Sequence, residues 1–407
     1  MRNVIAFILA GGRGERLHPL TASCAKPGLE IAGKNRIIDF MLSNCVNSGL
    51  LRILVAIQFG SFELSLHLDE NWVSNPGLRF HVHKVTTQFL QPDVVRYEGT
   101  ANAVYQNLGI IKSLGDFETI AILNGDHVLA MNFAQMQDYH QAKQSDFTIS
   151  VMPVPTVEAS RFGVLEVDSK WRIIGFEEKP EQPKEIPGQR GYSLVSMGNY
   201  IAELSNLSQW LSRDADRPGT SHDFGKDIIP AMLAAGERLY AYNYLDNEIP
   251  GQSEHYWRDV GTIGALHAAN MDLVQKRPDF NIYNIEGWPI RTEQRNLPPA
   301  KFNEINGRSC TISNALTSGG CIVEASTIRN SVLGCDVRVY ESSIEDSVLF
   351  SRVRVRHGCQ LRRVMVDRGV EIPPGTSIGI DHNADRARGL TVDEESGIVV
   401  VSRGAQF

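Results

Sequence analysis

No stretch of the sequence keeps apolar residues together for the roughly 20 positions a helix needs to cross a bilayer. The longest early run, Val4 to Ala10, turns directly into Gly11-Gly12 with no small-residue cleavage site after it, so it predicts a buried first strand and not a signal peptide. Cysteine is scarce: six among 407 residues, none in a CxxC pair. That usage excludes a disulfide scaffold and predicts a reduced, cytoplasmic chain. Positive charge is not in excess either, the formal net charge being -7. Nucleic acid and anionic membranes, which both require a basic surface, are therefore not expected as partners. A small anionic substrate is still admissible, because a local Arg/Lys cluster outweighs a global charge screened over about 8 Å. Metal-ligand spacing is also scarce. His81-x-His83 could bind a metal, but no Cys or acidic ligand sits at matching spacing, so an exposed strand face is the favoured reading.

What is present divides into three textures. Up to about residue 280, short apolar runs alternate with amphipathic segments. Val4–Ala10, Ile53–Ile57 and Thr119–Leu123 read as buried strands, and Ile37–Ser48 and Ala101–Ile111 as helices. The alternation predicts an α/β domain over residues 1–280, with parallel strands covered on both faces and ligands beyond the strands' C-terminal ends. Residues 281–305 carry three prolines and no sustained period, and predict a linker. Within 306–407, apolar residues, mostly β-branched, recur at a loose spacing of about five or six: Ile322, Ile328, Val332, Val337, Ile344, Val348, Val353, Leu361, Val366, Ile372 and Ile378. That spacing predicts hexapeptide repeats stacked as a parallel β-helix, with an ordinary antiparallel sheet as the alternative.

Three segments carry chemistry. Gly11-Gly12-Arg13-Gly14-Glu15-Arg16 follows the first strand directly, and Lys26-Pro27 comes shortly after. Glycines there let backbone N–H groups face phosphate oxygens, Arg13 and Arg16 offer forked donors, and Lys26 offers a point charge. The dinucleotide fingerprint fails at Leu17, where its third glycine belongs. A Walker-type loop at Gly28 to Asn35 fails because Asn35 replaces the magnesium-binding Ser/Thr. A Gly-rich turn with solvated arginines is the bland alternative. Gly125-Asp126-His127 ends the strand Thr119–Leu123. Asp126 there either holds Mg²⁺ or caps a turn, and it gains a metal role only if Asp259, in Tyr256-Trp257-Arg258-Asp259, reaches the same strand ends. Glu177-Glu178-Lys179-Pro180 either grips a sugar phosphate through Lys179 and sugar hydroxyls through Glu178, or is only a charged turn.

The segments GGRGERLHPLT…KP, RIIDFMLSNCVNSG, YEGTANAVYQN, NGDH, FGV, FEEKP, SMGNY, DFGKDIIP and YWRDVGT occur in that order. Together with the C-terminal repeats, they resemble the bacterial glucose-1-phosphate adenylyltransferases (ADP-glucose pyrophosphorylases) over nearly the whole chain. The resemblance implies a Rossmann-like nucleotidyltransferase domain followed by a left-handed parallel β-helix, assembled as a homotetramer or with a related subunit. It implies the substrates ATP and glucose 1-phosphate, with Mg²⁺ as cofactor. Arg16, Lys26 and Asp126 would be catalytic. Gly11, Gly12, Gly14, Gln58, Tyr97, Gly99 and Thr100 would hold the nucleotide. Gly163, Glu178, Lys179 and Ser196 would hold glucose 1-phosphate, and Asp126 and Asp259 the metal. Arg36 matches an effector-site arginine. Ser23 and Cys24 stand where a basic pair is usual, Asn102 where an aspartate is, and Asn124 where a small residue is. The chain lacks an N-terminal extension and final helix common in the family. These departures imply altered or weak regulation. A related enzyme using UTP or dTTP, and a non-catalytic regulatory subunit, are the rival expectations.

Overall fold

A computed structural model describes residues 1, 3–12, 14–59, 61–73, 80–87, 96–252, 254–283 and 287–407. Arg13 lies outside the described residues. The N-terminal domain is built on a nine-stranded sheet. Its strands are β1 (Val4–Ala10), β2 (Arg52–Ile57), β3 (His81–Thr86), β4 (Thr119–Asn124), β6 (Phe147–Pro155), β7 (Gly163–Val167), β8 (Ile173–Glu178), β9 (Tyr192–Glu203) and β10 (Leu239–Asn243). A separate two-stranded ribbon pairs β5 (His127–Leu129) with β11 (Trp257–Asp259). The main order is β8-β7-β9-β4-β1-β2-β3, and β6 joins β9 to β10.

The expectation of parallel strands holds for β4, β1, β2 and β3, and for β6 with β10. It fails at β9, which runs antiparallel to β4, β6 and β7, and at the β7–β8 hairpin. A parallel crossover needs a dozen or more residues, usually with a helix, and only residues 168–172 separate β7 from β8. The sheet is therefore mixed. β1 is buried along almost its whole length, as its unbroken apolar run requires. His81 is exposed and His83 half-buried on the edge strand β3, and no group of three or more potential metal ligands occurs among the described residues. No described helix is long and apolar enough to cross a membrane, and all six cysteines are unpaired.

The helix expected over Ala101–Ile111 is divided. It forms α3 (Thr100–Gln106) and α4 (Leu108–Leu114), numbered after α1 (Ile37–Asn47) and α2 (Ser61–Leu68). The break is Asn107, whose amide donates to Ala103 O (2.8 Å) and to the Tyr97 hydroxyl (3.1 Å). Asparagine side chains that bond backbone groups compete with helix continuation in this way.

α1 explains the polar residues inside its otherwise apolar sequence. Asp39, Ser43, Asn44 and Asn47 recur at helical spacing and bind the segment that follows the sheet domain. Thr292 Oγ1 donates to Asp39 (2.6 Å), Arg291 N to Ser43 Oγ (2.8 Å), Trp288 Nε1 to Asn44 Oδ1 (2.9 Å), and Arg291 Nη1 to Asn47 Oδ1 (2.7 Å). The segment expected to be a linker thus lies strapped along a helix. Coil strands begin within it, at Lys301–Asn303.

The C-terminal region stacks parallel strands in three rows. Val323, Val339, Val355 and Ile372 form one row, and Ile328, Ile344, Leu361 and Ile378 a second. Leu333, Leu349, Val366 and Val401 form the third. Their side chains share one apolar core. The coil advances by 16 or 17 residues per turn, as the register Ile328↔Ile344↔Leu361 shows. Ile322 departs from its expected place: it is half-buried, and Val323 beside it points inward. Along the third row the alternate residues Val332, Val348, Met365 and Val400 face the other way, into a cluster with Leu17, Phe40, Val128 and Val260. The coil and the sheet domain therefore share a hydrophobic core.

Asp39 is a buried carboxylate where α1 meets the Trp288–Thr292 segment. It is fully buried and also accepts from His67 (2.7 Å), Trp72 Nε1 (2.9 Å) and Arg36 N (2.7 Å). Burial pushes its carboxyl up, but His67 and the other donors outweigh burial and hold it below the ordinary carboxylate value. Such a group contributes stability above about pH 3.9, which is lost as pH falls through the lower folded value. Asp39→Asn is expected to cost about 3 kcal/mol at pH 7, and less below about pH 4. Urea unfolding at the two pH values measures this. A cost under about 1 kcal/mol, or one that grows in acid, would contradict the assignment.

Candidate active site

Two neighbouring parallel strands deliver the first components. β1 and β4 are in register at Leu9↔Asn124, so the glycine turn after β1 and Gly125-Asp126 after β4 leave the sheet side by side. A cavity of about 580 Å³ opens there. Of the residues expected to hold the nucleotide, Gly11, Gly12, Gly14, Gln58, Tyr97, Gly99 and Thr100 all line it, together with Arg16, Lys26 and Asp126. Gly14 has φ +64, a left-handed conformation that costs glycine nothing. Gly99 is required by close approach, since a Cβ there would lie 2.2 Å from His222 O. Gln58 accepts from Tyr97 N (3.2 Å), tying the end of β2 to the segment before α3.

Asp259 arrives from far along the chain. The β5–β11 ribbon places Asp259 directly opposite His127, and so next to Asp126. Lys26 Nζ joins the two carboxylates, donating to Asp126 Oδ2 (2.8 Å) and to Asp259 Oδ1 (2.9 Å). Arg16 Nη2 stands 4.0 Å from Asp259 Oδ2, and His127 Nε2 lies 3.7 Å from Asp126 and 3.9 Å from Asp259. Burial raises the Asp126 carboxyl, but Lys26 and His127 overcome it and hold it down at about 2. For Asp259, His127 and Lys26 likewise outweigh burial and lower it. Burial alone would pull the Lys26 ammonium down, yet the two carboxylates hold it above the ordinary lysine value. All three groups are therefore charged at neutral pH. Two anionic hard-oxygen donors converging on one cation suit Mg²⁺, which takes one or two carboxylates plus phosphate oxygens.

The residues expected to hold the sugar phosphate form a second group beside the cavity. Glu178 ends β8 opposite Gly163 at the start of β7. Lys179 follows with φ +50, its N–H donating to Phe162 O (3.0 Å) and its ammonium 3.1 Å from Glu178. The Lys179 side chain is 61% exposed, so it is open to an incoming anion. Ser196 on β9 is buried and accepts from Gly198 N (3.1 Å). A Cβ at Gly225 would lie 2.6 Å from a Glu178 oxygen and 3.4 Å from Asp223 Oδ1.

That contact leads to a residue whose role the sequence reading missed. Asp223 lines the cavity and accepts from Thr100 Oγ1 (2.9 Å), Gly225 N (2.9 Å) and Lys226 N (3.1 Å). It joins the nucleotide-side segment to the Glu178 side. Its only signal was membership of DFGKDIIP, because a lone Asp before a helical turn reads as a cap.

The departures also have physical readings. Asn102 Oδ1 accepts from Glu98 N (3.3 Å), which an aspartate would do equally. Asn124 fits because Gly198 has no side chain, since a Cβ there would lie 2.2 Å from Asn124 Nδ2. Cys24 is buried, and burial pushes its thiol up to about 12. Arg36, which matches an effector-site arginine, is buried, with Nη1 donating to Gly28 O (2.6 Å) and Nη2 3.9 Å from Glu30.

Comparison with known proteins agrees with this geometry. Residues 5–276 match the family model described as nucleotidyl transferase. Residues 298–401 match the one described as GlmU-like, C-terminal hexapeptide. The glucose-1-phosphate adenylyltransferase of Aliivibrio fischeri is 44% identical over 413 residues, covering 99% of each chain. That of Thermus thermophilus is 46% identical over 412 residues, again with 99% of each chain covered. That of Deinococcus radiodurans is 42% identical over 412 residues, also covering 99% of each. With a sheet domain, a hexapeptide coil and full-length identity of this size, the chain belongs to the glucose-1-phosphate adenylyltransferases.

Proposed function

We propose that this chain joins ATP and α-D-glucose 1-phosphate to give ADP-glucose and diphosphate, with Mg²⁺ bound at Asp126 and Asp259. The observation that carries the reading is the meeting of Asp126, Asp259, Lys26 and Arg16 at the mouth of a glycine-lined cavity. Adenine and ribose lie against Gln58 and the Tyr97–Thr100 segment, and the phosphates against Gly11, Gly12 and Gly14. The sugar phosphate is received by Lys179, with Glu178, Gly163 and Ser196 around the sugar.

The chemistry is an in-line displacement. The phosphate oxygen of glucose 1-phosphate attacks the α-phosphorus of ATP and diphosphate leaves. That oxygen is already anionic at neutral pH, so no side chain has to remove a proton. The difficulty is to bring two anions together, and the residues address it by positioning, which supplies about 7–11 kcal/mol of such barriers. Lys26 Nζ has three N–H donors, of which two meet Asp126 and Asp259, so the third is available to a phosphate oxygen. Arg16, 63% exposed, turns to the same phosphates. A divalent cation held by Asp126 and Asp259 would supply charge neutralisation to the phosphates.

We further infer a cytoplasmic enzyme that assembles through its coil as a homotetramer. The first coil supports this, leaving Phe302 and Ile312 exposed at 45% and 38%. Adenine is favoured over uracil or thymine because the full-length relatives carry the adenylyltransferase name. Catalysis is favoured over a regulatory role because Arg16, Lys26, Asp126, Lys179 and Asp259 are all present. Purified chain assayed with glucose 1-phosphate and a panel of ATP, UTP and dTTP should release diphosphate with ATP. Preference for another nucleotide, or no turnover at all, would overturn the reading.

Two substitutions separate the roles. Asp126→Asn should lower kcat by at least about 100-fold, the size of loss seen when a charge-stabilising group is removed, while ATP still binds in calorimetry. Wild-type turnover in that variant would contradict the metal role. Lys179→Ala should raise the KM for glucose 1-phosphate by about tenfold or more, with the KM for ATP within about twofold. Equal changes in both would undo its assignment to the sugar phosphate.

A further inference from the structure

Lys26 is buried to 6% exposure, so its reach is set by the backbone beneath it. That backbone is a single 3-10 turn, Lys26–Gly28, with Glu30 two residues beyond. The turn has little slack. Gly28 O accepts from Arg36 (2.6 Å), and a Cβ at Gly28 would lie 2.9 Å from Cys24 Sγ and 3.4 Å from Leu64 Cβ. Residues 30–31 then pair with 35–36 in a short ribbon. Beyond the turn, Glu30 is 4% exposed, and both of its oxygens are bound by the coil. One accepts from Ser351 N (2.7 Å), and the other from Arg368 Nε (2.9 Å) and Nη2 (2.6 Å). Arg368 is held in turn: its Nη1 lies 3.5 Å from Glu63, which also pairs with Arg403 (2.6 Å). Arg368 Nε and Nη2 both meet one Glu30 oxygen and Ser351 N holds the other, so the carboxylate is fixed by charge-assisted bonds on each side.

We propose that Glu30 and Arg368 are positioning residues for Lys26, through which the C-terminal coil sets where the ammonium stands and so contributes to the rate. The inference rests on the reading of Lys26 as a phosphate ligand. One end of the turn meets Asp126 and Asp259, and the other is fastened to the coil four residues later. A shift at Glu30 has no loop in which to dissipate. Displacements of about 1 Å at a reacting centre can cost up to about 100-fold in rate, so the fastening is worth a measurable factor.

The test is a double-mutant cycle on the full-length enzyme, with thermal unfolding as a check that each variant folds. Arg368→Ala should lower kcat by about tenfold in the wild-type background and by less than about twofold in the Lys26→Ala background, because coupled residues lose their effects together. The KM for glucose 1-phosphate should stay within about twofold, and Arg368→Lys should recover part of kcat. Glu30→Gln keeps the shape and removes the charge; it is read in the same cycle if Arg368→Ala does not fold. Equal losses in both backgrounds, or no loss in a folded variant, would overturn the positioning role alone. A wild-type rate in Lys26→Ala would instead overturn the reading of Lys26.

Discussion

The site depends on one ammonium shared by two carboxylates. Lys26 Nζ sits 2.8 Å from Asp126 and 2.9 Å from Asp259, and those residues are separated by 133 positions in the chain. Without the lysine, two anions would be forced together in a half-buried place, which the Coulomb repulsion of like charges opposes. With it, the three groups remain charged and near each other. Each partner comes from a different part of the fold: the 3-10 turn Lys26–Gly28, the end of β4 and the β11 ribbon strand. The ribbon register Asp259↔His127 is what unites them.

Much of this could be read from the residues. The β1 run ending in glycines, and the Thr119–Leu123 run ending in Gly-Asp-His, gave both strand ends and their chemistry, because buried parallel strands are near-continuous apolar runs. The coil's period was equally plain. Its phase was less so: Ile322 and Val323 are adjacent and both β-branched, and only stacking against Val339 decides which points inward. Asp259 was a conditional candidate, since no local pattern announces a two-stranded ribbon formed across 130 residues. The antiparallel β9 was hidden for the same reason, strand direction being a tertiary property.

Other features needed the packed structure. Asp223 caps the helical turn that follows it, and it also faces the cavity and holds Thr100. Arg36 matched an effector-site arginine in the sequence, and the packed structure shows that it also closes the back of the Lys26 turn. The polar stripe of α1 could not be explained until the segment around Trp288–Thr292 was seen lying along it. In each case the side chain has two roles, and sequence pattern exposes only the local one.

The seam between the domains gives the coil a direct physical link to the candidate site. Its third row of strands packs outward into the core that holds Leu17 and Val260, adjacent in sequence to Arg16 and Asp259. The central claim, that Asp126 and Asp259 act as one unit around a cation, is tested most directly by turnover of Asp126→Asn, Asp259→Asn and the double variant. Residues acting as a unit are non-additive, so the double variant should fall no more than about threefold below the slower single one. Losses that multiply would show two independent groups and contradict the account.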